Sequence, residues 1–365
     1  MKQAPPINPF TFALFLCLCT FSVLAQPRYN VTRLPTNAQI KYLYPTSINN
    51  SGQVVGYWYG PQNYNGPGFT FIYSNGNLTD LGPLIGGTSN YGYDINDSGQ
   101  IVGTAFNGSQ VSSFIFSVAE GRKVLAPELP PGTISVPYGI NNRGQVVGYI
   151  KDFPALCSRG QCPAVFLPND TFIVIDAANS VEGCAYDIND VATADGIGQV
   201  VGTICTSPAS LGCLNGFGTS FVYENGILNL GLSSTYCPHG GTTERSKAVN
   251  NLGQMTGICD QCTTICPVYG FIYNIDNSSA SYLGNYFTPI DINDSGWVVG
   301  GFTGSTSPPN HPFLSINGTV YNLWQLTDDP GYYSQYAQFY PIAINNQGLI
   351  IASANVFGSY LLTPW

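Results

Sequence analysis

Ile95-Asn96-Asp97-Ser98-Gly99-Gln100-Ile101-Val102-Gly103 belongs to a pattern that occurs seven times, with its Asn at positions 49, 96, 141, 189, 250, 293 and 345. In six copies a Gly follows three residues later, at 52, 99, 144, 253, 296 and 348; the fourth copy carries six extra residues, which puts its Gly at 198. Apolar residues lie before the Asn and after the Gly. This is the pattern of two strands joined by a three-residue loop that ends in the left-handed region, where Gly is least strained. An Asn side chain accepts hydrogen bonds from the turn backbone, which accounts for its recurrence. The arms after the Gly, such as Gln53-Val54-Val55-Gly56 and Gln145-Val146-Val147-Gly148, are β-branched without alternation. Such a strand is covered on both faces. The Gly that closes the arm implies a bulge or a close backbone approach.

Successive Asn residues are 47, 45, 48, 61, 43 and 52 positions apart, a period typical of stacked supersecondary units. Each unit also holds a second hairpin. Phe69 to Tyr73, Asn75-Gly76 and Asn77 to Leu81 show it clearly. Four short strands per unit predict an all-β, seven-bladed β-propeller. The seventh unit stops after its third strand, whereas Tyr29-Asn30-Val31-Thr32-Arg33-Leu34 reads as a fourth strand without a blade. The N-terminal strand is therefore expected to complete the last blade and remove the open edge between the ends of the ring.

Residues 78–87, Leu-Thr-Asp-Leu-Gly-Pro-Leu-Ile-Gly-Gly, followed by Tyr93-Asp94-Ile95-Asn96 and Gly99-Gln100-Ile101-Val102-Gly103, together with His311-Pro312-Phe313, resemble the extracellular HAF-repeat family. The likeness extends over nearly all of the chain after residue 25. The His-Ala-Phe triplet is degenerate, with its His kept only at His311. The resemblance implies a propeller and export, and assigns no reaction.

Composition narrows the function further. Of 365 residues only 8% are charged, and the net charge is −9. This disfavours nucleic acid and anionic lipid as partners, since both call for Lys and Arg. Lys2, the apolar run from Phe10 to Leu24 and Val23-Leu24-Ala25 read as a signal peptide over 1–25, leaving one propeller domain over 26–365. The expected product is secreted, monomeric and free of the membrane after cleavage. Nine cysteines follow the signal. In a secreted chain they read as disulfides with one left over, and Cys157–Cys162 and Cys205–Cys213 are the local pairs. There are nine Asn-x-Ser/Thr sequons; Asn77, Asn169, Asn277 and Asn317 sit near outer turns, so a glycoprotein is expected.

Strand order places the tight turns on one face of the ring and the long segments on the other. Binding residues are expected on the long-loop face. The candidates are Tyr57, Trp58, Tyr59 and Tyr64 of the first blade and Trp324, Tyr332, Tyr333 and Tyr336 of the seventh, suited to a glycan or an extracellular protein. No cofactor is assigned. Asp94, Asp187 and Asp291 occupy one repeat position in alternate blades; they are expected to bond a neighbouring backbone, and are the residues an axial cation would use. Cys259-x-x-Cys262-x-x-x-Cys266 lacks a fourth ligand for zinc. No catalytic residue is assigned, although His239 with Glu244 is the acid–base pair an enzyme would draw on. The reading is a binding or structural module. The alternatives are a carbohydrate-active hydrolase or lyase on the same fold, or a coat or matrix component.

Overall fold

The structure is a computed structural model that describes residues 26–365 apart from 62–65, 126–128, 154, 156, 158–159, 176–181, 206–217, 231–242, 261–267, 303–310, 336–337 and 355–357. The predicted signal peptide, Tyr64, Tyr336 and His239 lie outside the described residues. Seven four-stranded antiparallel sheets form the ring of a seven-bladed propeller. In blades 1 to 6 the strands follow chain order from the innermost outward; blade 1 comprises Tyr42–Ile48, Val54–Tyr59, Gly68–Ser74 and Asn77–Asp80. Blade 7 has Tyr340–Ile344, Ile350–Ala354 and Gly358–Pro364, with Tyr29–Arg33 as its outermost strand.

The inner hairpins form as their sequence requires. In blade 1 the Gly52 amide donates to the Asn49 carbonyl at 3.0 Å, and Gly52 has φ +74°. The Asn49 side-chain oxygen accepts from the Ser51 and Gln53 amides at 3.1 and 2.9 Å. The fourth copy differs from expectation. Its left-handed residue is Gly196, with φ +78°, and not Gly198. Gly198 is needed for another reason: a Cβ there would stand 2.1 Å from the Asn189 carbonyl oxygen. The outer turns Asn75-Gly76, Asn225-Gly226 and Asn317-Gly318 have positive φ at both residues, the type I′ geometry that matches strand twist.

Consecutive valines serve opposite sides of a blade. Val54 packs into the cluster shared with blade 7, and Val55 into the one shared with blade 2. Val146 and Val147, and Val200 and Val201, divide in the same way. The core is thus a set of inter-blade layers, and a strand between two such layers has no polar face. The Gly after each valine pair answers a register shift in the innermost strand. In blade 1 the shift lies between Pro45 and Ser47, opposite Gly56, where a Cβ would meet the Tyr44 carbonyl oxygen at 2.2 Å.

The closing strand pairs in register with the last strand of the chain, from Tyr29↔Pro364 to Arg33↔Tyr360. The Leu34 amide donates to Ser359 O, and the Trp365 amide to Arg28 O. Tyr29 is 0% exposed within a cluster that holds Trp324, Phe339, Ile350 and Leu362. Among the described residues its hydroxyl has no hydrogen-bond partner. Tyr29→Ala is expected to destabilise by about 3–5 kcal/mol. Tyr29→Phe, which removes an unsatisfied buried hydroxyl, is expected to be neutral or stabilising by up to roughly 1 kcal/mol. Deletion of residues 29–34 should abolish the cooperative melt. Circular dichroism on the three variants checks all this, and a truncated protein that melts like the full chain refutes the closure.

Candidate functional site

Three places concentrate polar or aromatic groups. The first is the axis at the tight-turn face, where each repeat Asn joins two blades. The Asn49 side-chain amide donates to Asn96 O, Asn96 to Asn141 O, Asn141 to Asn189 O, and so on through Asn250 and Asn293 to Asn345, whose amide returns to Asn49 O at 2.9 Å. The following residues form a second closed ring: the Asn50 amide donates to the Asp97 carboxylate, Asp97 N–H to Asn142 Oδ1, and so round to the Asn346 amide on Asn50 Oδ1. The rings border a central cavity of about 160 Å³ to which all seven blades contribute.

Asp94, Asp187 and Asp291 lie in this cavity's wall. Each accepts its own blade's next amide and one from the following blade, Ile140, Val249 or Ile344, at 2.8 Å. Asp94 also accepts from the Ser47 hydroxyl. The expected bond to a neighbouring backbone is therefore present. Among the described residues no three His, Cys, Asp or Glu side chains are grouped to hold a metal. Burial raises all three carboxyls, Asp187 and Asp291 to about 7, against the pull of the amides.

The second place is the channel wall, built from the bulged residue of each innermost strand. Tyr93, Tyr138 and Tyr186 stand in sequence around it, with ring centroids 6.5 and 5.7 Å apart, and Lys247 Nζ lies 5.9 Å from the Tyr186 ring centre. Beside this arc Cys184 is a buried free thiol, pushed up to about 12 by burial and bonded by the Gln161 amide. Glu244 is 2% exposed, at the start of the innermost strand of blade 5. Its repeat equivalent in blade 2 is Asn90, whose oxygen accepts the Thr70 amide and whose NH2 donates to Gly82 O. Neither carboxylate oxygen of Glu244 makes a hydrogen bond among the described residues, and burial raises it to about 7, with the nearby Ser220 amide opposing. His311 stacks on Phe302 at 4.9 Å.

The third place is the junction of blades 7 and 1 on the long-loop face. A cavity of about 390 Å³ opens there between the ends of blade 7 and the chain entering blade 1, walled by Arg33, Asn37, Lys41, Tyr42, Tyr44 and Ser353 among others. Tyr44 is also part of a tyrosine cluster. Its ring stacks on Tyr57 at 5.3 Å, Tyr57 meets Tyr91 edge-on at 5.0 Å, and the Tyr59 hydroxyl bonds that of Tyr91 at 3.2 Å. The sequence candidates divide between roles. Trp58 is 9% exposed with its indole N–H on Asp80, and Trp324 is 2% exposed with its indole N–H on Phe339 O, so both indoles serve packing. Tyr59 is buried, Tyr57 half-buried, Tyr333 packs on Phe339, and Tyr332 is 45% exposed. Arg33, Lys41, Tyr42 and Tyr44 were not among the candidates, because they belong to strand ends and a blade connection and not to a long loop.

Cys157–Cys162 is a disulfide with its Cα atoms 5.6 Å apart. Cys205 and Cys259 are also disulfide-bonded, and Cys213, the partner expected for Cys205, lies outside the described residues. Asn49, Asn96 and Asn293, the sequons inside inner turns, are buried, whereas Asn77, Asn169, Asn277 and Asn317 are exposed.

No family model matches the chain, and no curated protein does. Solved structures do. A catalytically inactive virginiamycin B lyase from Staphylococcus aureus aligns at TM-score 0.55 and 10% identity, covering 92% of this chain and 99% of that one. An acylaminoacyl peptidase from Pyrococcus horikoshii aligns at TM-score 0.50 and 10% identity, over 89% of this chain and 52% of that one. At this identity the likeness establishes the propeller fold alone.

The axial carboxyls make stability depend on pH. An Asp whose folded pKa is raised binds more protons folded than unfolded between its two pKa values, so stability falls as pH rises through that window. The unfolded value is about 3.9, and Asp187 and Asp291 reach about 7 in the fold. The melting temperature is expected to fall from about pH 5 to about pH 8 and to level off above, by the same linkage. A flat or rising profile across that range, at constant ionic strength, contradicts the assignment.

Proposed function

We propose that this protein is a secreted binding module that takes a glycan in the cavity between blades 7 and 1. The observation that carries this reading is the company of the cavity. Its lining brings two tyrosines together with amide- and hydroxyl-bearing residues in about 390 Å³, within the range of small-ligand sites. Tyr42 is 37% exposed, and Tyr44 is fixed by its stack on Tyr57. A sugar ring presents C–H groups to an aromatic face and hydroxyls to its rim, and such a wall meets both needs. Asn37 spends its side-chain oxygen on the Gln39 and Ile40 amides, which leaves its NH2 group as the donor. The axial cavity has a weaker claim, since its side chains are taken up in bonds between blades. Export is supported by the signal-like first 25 residues and by disulfide pairing.

A second reading, a carbohydrate-active enzyme of this fold, is favoured by one observation. Glu244 is a buried carboxyl whose pKa burial raises to about 7, the range in which a carboxyl can serve as a general acid. Turnover of a bound glycan that is lost in Glu244→Gln and kept in Tyr42→Ala would establish it.

A glycan array probed with the secreted chain tests the binding reading. Tyr42→Ala and Tyr44→Ala are expected to weaken any hit by up to about tenfold, the scale of one aromatic contact. Trp58→Phe should leave affinity unchanged. An array without hits, or hits indifferent to both tyrosine variants, rejects this cavity as the site.

A further inference from the structure

We infer that the ligand of this cavity carries a carboxylate, as a uronic acid unit does, and that Arg33 and Lys41 recognise it. The inference rests on the glycan reading above and adds the charge of the sugar. Among the described residues two cations line the cavity and no carboxylate does. In a chain with 20 acidic and 11 basic residues that is a local reversal of sign. The ion pairs among the described residues are Lys123–Asp170 and Arg245–Asp260, so neither Arg33 nor Lys41 is neutralised by one.

Arg33 is not something the fold requires. It pairs with Tyr360, and the same register position in blades 1 to 6 holds Asp80, Val124, Val174, Leu230, Tyr282 and Asn322. No other blade has a cation there. The blade tolerates acid, amide and aliphatic groups at this site, so an arginine needs another explanation.

Arg33 is also held in place without a counter-ion. Its guanidinium lies across Gly358, where a Cβ would come within 2.9 Å of Nε and 3.2 Å of an Nη. Gly358 has φ +104°, a backbone state that other residues rarely adopt. The missing side chain lets the planar group rest on the backbone. A fork fixed in this way keeps donors for a carboxylate and loses little entropy on binding. Lys41, also in the cavity's lining, adds a point charge. The net charge of −9 repels a polyanion at long range but is screened beyond about 8 Å in physiological salt. The local pair therefore suits one carboxylate at close range and not a phosphate backbone.

The test compares short oligogalacturonates, oligoglucuronates and oligomannuronates with their methyl esters, which keep the ring and remove the charge, by calorimetric titration of the whole secreted chain. At least one acid form is expected to bind about tenfold or more tighter than its ester, the scale of one charge-assisted hydrogen bond. That preference should shrink as salt rises from about 50 to about 500 mM. Arg33→Gln and Lys41→Gln should each erase most of that preference, read as the ratio of acid to ester affinity in the same variant. Arg33→Lys, which keeps the charge without the fork, should fall between. Melting curves confirm folding, and Lys41→Gln lies outside the closing strand should Arg33→Gln weaken it. Equal binding of acid and ester, or a preference that survives both glutamine variants, overturns the inference while a Tyr42-dependent neutral hit leaves the glycan reading standing. Failure of every acid and neutral glycan to bind overturns both.

Discussion

One side chain does in each blade what a metal or a disulfide does in smaller rings. The Asn at the inner turn closes its own hairpin through its oxygen and reaches the next blade's carbonyl through its nitrogen. The inner Asn residues are buried, at 3–4% exposure, so each bond is formed away from water and losing one would strand a polar group. Because the acceptor is the backbone of the next turn, a blade that shifts loses its bond on both sides. The hairpin loop is therefore short in six blades, and where blade 4 inserts residues the Asn189 amide still meets Gln199 O. The insertion is looped out beyond a conserved geometry.

The residues flanking that Asn solve a second problem, that of charge. Asp97, Asp190 and Asp294 alternate with Asn50, Asn142, Asn251 and Asn346 in the second ring, so carboxylates have amide neighbours. Alternation cannot be completed with seven members, and the two adjacent amides fall at the contact of Asn346 with Asn50. The inner carboxylates follow the same rhythm: blades 2, 4 and 6 supply Asp94, Asp187 and Asp291, and blades 3, 5 and 7 supply the amides. Blade 1 is the odd one, and offers Ser47 to Asp94 instead. Placing like charges in alternate blades limits the repulsion that burial would amplify.

Much of this was legible, because a repeat tells its own story. Seven copies of the inner-turn Asn indicated the number of blades, the arms indicated strands with two covered faces, and the unmatched Tyr29–Leu34 indicated the closure. The site was harder to read for a physical reason. Aromatic residues near strand ends serve packing and recognition alike, and sequence does not separate Trp58 and Trp324, whose indoles bond inside, from Tyr42, which stays exposed. What distinguishes Arg33 is a departure from its repeat position, visible only once the register of the outermost strands is known. Glu244 is the converse case. It was noticed for its neighbours in sequence, and its standing comes from replacing the satisfied Asn90 of blade 2 with a carboxylate that has fewer partners.

A near-symmetric ring makes seven similar grooves, and a selective site must come from whatever breaks the symmetry. The blade 7–blade 1 junction does so twice. It is where the outer ring's alternation fails, and it is where the outermost strand comes from the opposite end of the chain. A strand recruited from elsewhere is free to carry side chains that the repeat does not, and Arg33 is one. The connection that follows runs directly into blade 1, so Lys41 and Tyr42 reach the same cavity from a segment only a few residues long. Closure of the ring and formation of the cavity are then one event: removing the strand that completes the last sheet removes a wall of the site with it. The recognition proposed for this junction therefore needs a ring that has closed.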